Sequence, residues 1–316
     1  MSDDAEFKLY KTLAEAGDSG AQNCLGSMYQ NGRGVAQDDQ EAVRWYAESA
    51  RQNHADAQNN LGLMYQNGKG VEQDDVEAVK WYQVAAQQGN ADAQNNLGQM
   101  YQHGRGVEQD NLEAVAWYRT AAEQGHADAR NNLGWMYQRG EGVNKDDLEA
   151  VACYRMAAEQ GHADAQNNLG WMYQNGQGVP QDDAEAVKWY QKAAEQGHAD
   201  AQNNLGWMYH NGKGILRDYA KAVKLYLKAA EQGHAYAQLN LGWIYGKGGL
   251  LDYAASAKWF LRSAENGIAT AQFNLCLMYL EGKGVDRDVA EATKWYRKAI
   301  EQGHIDAHDQ MIKNKN

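Results

Sequence analysis

Six of the nine histidines, His54, His126, His162, His198, His234 and His304, recur at one position of a repeated pattern. Histidine and cysteine are the side chains that hold zinc, so this recurrence invites a metal reading. The spacing argues against it. Each copy lies one repeat from the next, and packed helices stand roughly 8–10 Å apart, whereas zinc takes its ligands at roughly 2.0–2.3 Å. The histidines therefore read as groups that hydrogen-bond near a helix start, and neither metal nor cofactor is expected. Cys24, Cys153 and Cys276 replace an Asn, a Trp and a Gly of the pattern. An odd number at unrelated positions is not a disulfide framework. The loops "NGRGV", "NGKGV" and "HGRGV" resemble phosphate cradles but lack a preceding strand and the P-loop spacing. Catalysis would need one nucleophile, one base and one orienting group. Nearly every polar residue here is instead a copy of a repeated position, so the expectation is a protein that is not an enzyme.

What the repetition leaves is binding chemistry. The segment "AQNNLGWMYQNG", residues 165–176, returns in close copies at 57–68, 93–104, 129–140 and 201–212. One slot in it changes along the chain, reading Ser27, Leu63, Gln99, Trp135, Trp171, Trp207, Trp243 and Leu277. A packing requirement would be met in every copy. A later slot behaves that way, with Trp45, Trp81, Trp117, Trp189, Trp259 and Trp295 broken only by Cys153 and Leu225. The first slot does not, so Trp135, Trp171, Trp207 and Trp243 are candidate partner anchors, tryptophan being enriched at binding hot spots. Beside them, Asn131, Asn167 and Asn203 and the adjacent Asn132, Asn168 and Asn204 form two ladders of amides. An amide both donates and accepts, so such ladders suit an extended peptide backbone. Toward the C-terminus the stripe turns apolar, through Tyr236 and Leu239 to Phe273, Leu277 and Leu280. Contiguous apolar surface of this kind marks contacts.

The elements that must carry these residues follow from periodicity. Units start at Ala21, Ala57, Ala93, Ala129, Ala165, Ala201, Ala237 and Ala271, in steps of 36 residues with one of 34. Residues 5–20 read as an N-terminal half-unit, 21–306 as eight units, and 307–316 as a C-terminal capping half-unit and tail, all one array. In the fifth unit Ala165, Leu169, Met172 and Tyr173 fall on one stripe of a helix. Asn175 and Gly176 end it, and Gly170 allows a close helix approach. Asp182 caps a second helix, with Glu185 placed as in a capping box. Its stripe of Ala186, Val187, Trp189, Tyr190, Ala193 and Ala194 suits contact on two sides. Neither helix is long enough to be stable alone, so stacking must hold them. On the first helix Asp164, Asn167, Trp171 and Gln174 lie opposite the core, about 140–220° from Leu169 at about 100° per residue.

The pattern A-x-x-x-L-G-x-M-Y-x-x-G-x-G-V, followed by D-x-x-E-A-V-x-W-Y-x-x-A-A-x-x-G, resembles the Sel-one-like repeat, a relative of the tetratricopeptide repeat. The resemblance covers almost the whole chain. It implies an all-α, right-handed superhelical solenoid of helix–turn–helix units, acting as an adaptor or scaffold, many of them bacterial. By the same resemblance the first helices line a concave groove, which makes the Trp and Asn slots groove residues. Some cysteine-rich relatives carry a disulfide in each repeat and are linked to penicillin binding; those paired cysteines are missing here.

Charge narrows the partner class. Residues 1–204 hold 15 Lys and Arg against 31 Asp and Glu, a net of −16, while residues 205–316 hold 15 against 11, a net of +4. The acidic majority excludes a nucleic-acid ligand. No apolar run reaches the ~20 residues of a membrane span. No secretory leader is visible, so the expectation is a cytoplasmic protein, or a periplasmic or secreted one had a leader been removed. The expected molecule is a monomer when free that binds a peptide or protein in its groove. An immunity protein clamping a toxin, and a glycan-binding module using the tryptophans, are the alternatives.

Overall fold

The computed structural model describes residues 2–247 and 251–303. His304, the half-unit expected at 307–316 and part of the shortened loop, 248–250, lie outside the described residues. These residues contain seventeen α-helices and no strand. They fall into two compact units divided between His162 and Ala163. The first holds α1 (Asp3–Glu15), α2 (Ser19–Asn31), α3 (Asp39–Arg51), α4 (Ala55–Asn67), α5 (Asp75–Gln87), α6 (Ala91–His103), α7 (Asn111–Glu123), α8 (Ala127–Arg139) and α9 (Asp147–Glu159). The second holds α10 (Ala163–Asn175), α11 (Asp183–Glu195), α12 (Ala199–Asn211), α13 (Tyr219–Glu231), α14 (Ala235–Lys247), α15 (Tyr253–Glu265), α16 (Ala269–Glu281) and α17 (Val289–Glu301). Within each unit every helix packs on the next in sequence, giving an all-α solenoid of helix pairs.

The local rules operate as the sequence implies. Ala165, Leu169 and Met172 are buried on α10, and the whole stripe from Ala186 to Ala194 named above is buried on α11. The Asp182 side chain accepts from the N–H groups of Ala184 and Glu185. Glu185 does not reach back to complete a capping box; its carboxylate binds Lys188 at 2.6 Å.

Packing between helices depends on two glycine positions. In the first helix, Gly98 lies under the ring of Tyr118, where an added Cβ would sit 2.7 Å from the ring. The ring is fully buried, and its hydroxyl donates to Gln102 Oε1 at 2.6 Å. In the loop, Gly106 has φ +67° and lies against the start of α5 in the preceding repeat, touching Asp75 and Val76. The loop glycines, read from sequence as turn punctuation, therefore also join one repeat to the next.

A buried glutamine relay ties the layers further. Gln94 donates to the Ala86 carbonyl of the preceding helix at 3.1 Å and accepts from Gln124 at 2.7 Å. In the second unit Gln202 does the same between Ala194 and Gln232. Amides satisfied in this way fix the stagger of successive helices, because a slip would leave buried polar groups unpaired.

Candidate functional site

The first helices of the second unit carry three of the four tryptophans that the sequence singles out. Trp171 on α10 and Trp207 on α12 are 37% and 40% exposed. Large apolar side chains at that exposure do not serve the core. Trp243 on α14 is half-buried, its ring edge-on to Phe260 at 5.5 Å, with Lys247 Nζ 4.4 Å from the ring. In the first unit Trp135 on α8 is half-buried, with the Arg139 guanidinium 5.4 Å from its ring.

Between Trp207 and Trp243 lies a cleft of about 230 Å³, lined also by His210, Asn211, Tyr226 and Asn240. A second cleft of about 250 Å³ flanks the other side of Trp243, toward Leu277 and Lys283. The first cleft has a polar floor, and its origin is a single change in the repeat. In the preceding copies, Tyr118, Tyr154 and Tyr190 donate to the glutamine one residue before the first helix's end. At that place the sixth repeat has His210, whose ring stands edge-on to Tyr219 at 5.2 Å. Tyr226 is 1% exposed, and its hydroxyl has no hydrogen-bond partner among the described residues. Burial and the nearby Arg217 push the His210 ring below the usual histidine range, so it is neutral at neutral pH. Burial pushes the Tyr226 hydroxyl up, so it stays protonated. The cleft thus offers uncharged donors and acceptors between two indole faces. Sequence reading missed Tyr226 and His210; the loss of the glutamine at position 210 was the available signal.

The asparagines are arranged differently from the expectation. The two ladders are one. Asn132 donates to Asn95 at 3.0 Å, Asn204 to Asn167 at 3.0 Å, and Asn240 to Asn203 at 3.0 Å. Within each unit these second asparagines therefore bind the first asparagine of the preceding repeat and hold neighbouring first helices together. Asn131 and Asn168 are also partnered. The ladder ends at Leu239, and Asn274 turns instead to its own helix, donating to the Thr270 carbonyl at 2.7 Å.

The C-terminal apolar residues also depart from the expected exposed stripe. Phe273 is 5% exposed and packs with Leu277, Tyr296, Ala299 and Ile300, because α17 covers it. Leu239 and Leu280 are half-buried against the core of α15–α17. Tyr236 remains outside, 58% exposed.

His54, His126, His198 and His234 cap helices, each accepting at Nδ1 from a backbone N–H three residues on. His198 Nδ1 accepts from the Ala201 N–H at 3.1 Å, and Nε2 meets Asp164 of the preceding repeat at 2.7 Å. His126 and Asp92 repeat this geometry at 2.9 Å. These bonds assign the neutral Nε2–H tautomer. The Asp164 carboxylate holds the His198 ring above the usual histidine range, while protonation of Nδ1 would remove the cap acceptor, so the two bonds act in opposite directions. Asn90 serves in the same slot, accepting from Ala93 and donating to Asp56. His198→Asn is accordingly expected to leave stability within about 0.5 kcal/mol, whereas His198→Ala should cost about 1 kcal/mol as other cap losses do. Urea denaturation of both variants checks this; equal losses would refute the capping role. Among the described residues no group of three or more His, Cys, Asp or Glu is placed to share a metal ion. Cys153 and Cys276 are buried, which pushes each thiol up to about 11. No helix among the described residues is long and apolar enough to cross a membrane.

Comparison with known proteins agrees with this architecture. The Sel1 repeat matches residues 19–54, 55–90, 91–126, 127–162, 163–198, 199–234, 235–268 and 269–304. No curated protein matches the chain. Among solved structures, the chain is similar to a protective antigen present in uropathogenic Escherichia coli strains, described as displaying an SLR fold. Identity is 39% and the TM-score 0.79, over 95% of this chain and 65% of the antigen. This chain therefore spans just under two thirds of that antigen's length. A Sel1 repeat protein from Oxalobacter formigenes is 34% identical with a TM-score of 0.70, over 98% of this chain and 90% of that one.

Proposed function

The chain belongs to the Sel1 repeat family, and from that premise we propose that it is a non-enzymatic scaffold holding a peptide or protein partner on the first-helix face of its second unit. The observation that carries this reading is the exposure of Trp171 and Trp207, in a slot that the core does not need. Trp243 and the cleft beside it extend the face, and the Tyr226 hydroxyl gives it a polar contact point. Tyr236 adds apolar surface in the same row of helices. The asparagines contribute mainly by fixing the spacing of these anchors.

Uncharged polar groups between indole faces also suit a sugar ring, which gives a glycan the standing of a second reading. Full-length protein used as bait, beside the Trp171→Ala, Trp207→Ala double variant, separates the two. A protein captured by the parent and lost by the variant supports the proposal. Capture that the variant retains overturns it. Saturable tryptophan quenching by oligosaccharides, with no protein captured, would favour the glycan.

A further inference from the structure

The second-helix tryptophan slot is filled in six repeats and vacated in two. Where Leu225 stands in it, a cavity of about 230 Å³ opens between α11, α12 and α13. Where Cys153 stands in it, a cavity of about 330 Å³ opens between α7, α8 and α9. The linings correspond position by position two repeats apart: Leu133 and Leu205, Tyr137 and Tyr209, Cys153 and Leu225, Met156 and Lys228. Each cavity is thus the space of an absent indole.

The filled slots show what such a space accepts. The Trp189 ring has Lys192 Nζ 4.0 Å above it, Trp259 has the Arg262 guanidinium at 4.9 Å, and Trp295 has Lys298 at 4.6 Å. In each case the cation lies three residues after the indole. Three residues after Leu225 is Lys228, which lines the cavity without a ring beneath it. Lys221 and Lys224 line the same wall. Lys221 approaches Asp218 at 3.5 Å, while Lys224 and Lys228 form no ion pair among the described residues. On the opposite rim, Glu195 accepts from Gln191. In the α7–α9 cavity Glu149 and Met156 replace Lys221 and Lys228. Its cations, Arg119 and Arg130, come from α7 and α8 and are engaged by Tyr137 and the Ala122 carbonyl, so a lysine wall on the second helix distinguishes the α11–α13 cavity from it.

We propose that the α11–α13 cavity is a docking site for an aromatic side chain, best an indole, carried by an acidic segment of a partner protein. The ring would take the place that the repeat's own tryptophan holds elsewhere, under the Lys228 ammonium, as cation–π geometry favours. Flanking carboxylates would meet Lys221 and Lys224. This site is separate from the first-helix face and does not depend on it.

The probe is a blocked tripeptide with tryptophan between two aspartates, titrated into the full chain by calorimetry at low salt. Saturable binding is expected, weakened roughly tenfold or more when alanine replaces the tryptophan or lysines replace the aspartates. Leu225→Trp should fill the cavity with the residue that six sibling repeats accommodate, keep the helical fold and abolish binding. Leu225→Phe, with a smaller ring, provides the same test should the larger side chain impair folding. Lys228→Glu should shift preference to the lysine-flanked peptide. Absence of saturable binding by the parent, or unchanged binding by the filled-cavity variant and by Lys228→Glu, overturns the proposal.

Discussion

Gly106→Ala is expected to lower the stability of the chain by about 3 kcal/mol or more, whereas Gly89→Ala should cost about 1–2 kcal/mol. Both glycines have a left-handed backbone, at φ +67° and +90°, so both substitutions carry the strain of placing a Cβ there. Only their surroundings differ. A Cβ on Gly89 would meet nothing within 4 Å. On Gly106 it would overlap the Asp75 carbonyl and approach the Val76 nitrogen to 2.8 Å. Those atoms are backbone at the first turn of α5 and cannot rotate away. Relief requires the loop to lift off the preceding repeat, which weakens the contact between neighbours on which a solenoid's stability rests. Urea denaturation of the two variants, followed by circular dichroism, makes the comparison. Equal losses would show that the loop glycines serve turn geometry alone.

This contrast illustrates what the sequence could show and what it could not. Helix stripes and caps were legible because they depend on residues three or four apart, as with Ala186 to Ala194 and the Asp182 cap. The role of Gly106 was not, because its partner at Asp75 lies in the preceding repeat. The same holds for the asparagines. Two ladders are visible in the sequence, but only helix stagger makes Asn204 the partner of Asn167. Phe273 shares the angular position of exposed stripe residues, and periodicity alone has no means of knowing that α17 lies over it. The cleft at Tyr226 arises from a missing glutamine, and a missing partner becomes visible only when the pairing it interrupts is known.

The two tryptophan sets give the second large effect. Trp295 is 4% exposed within the core of α15–α17, and Trp189 is 8% exposed beneath Lys192. Trp295→Ala should destabilise by roughly 3–5 kcal/mol, as large-to-small core substitutions do. The indole nitrogens of both residues are buried with no hydrogen-bond partner, so the slot uses the ring for volume and not for polarity. Trp295→Phe should therefore recover most of the loss. Trp207, at 40% exposure, leaves no closed cavity when truncated, and Trp207→Ala should cost about 1 kcal/mol or less. Its loss should instead weaken the partner bound on the first-helix face by about 2 kcal/mol, the size of a hot-spot contact. Trp171→Ala should follow the same pattern. Trp243, wedged against Phe260 between the two clefts, should show both effects, since its ring is shared between packing and surface. Thermal melts of the single variants, set beside the binding assay, decide the matter. If Trp207→Ala melts as early as Trp295→Ala, the first-helix row is packing between repeats, and the partner must be sought at another surface.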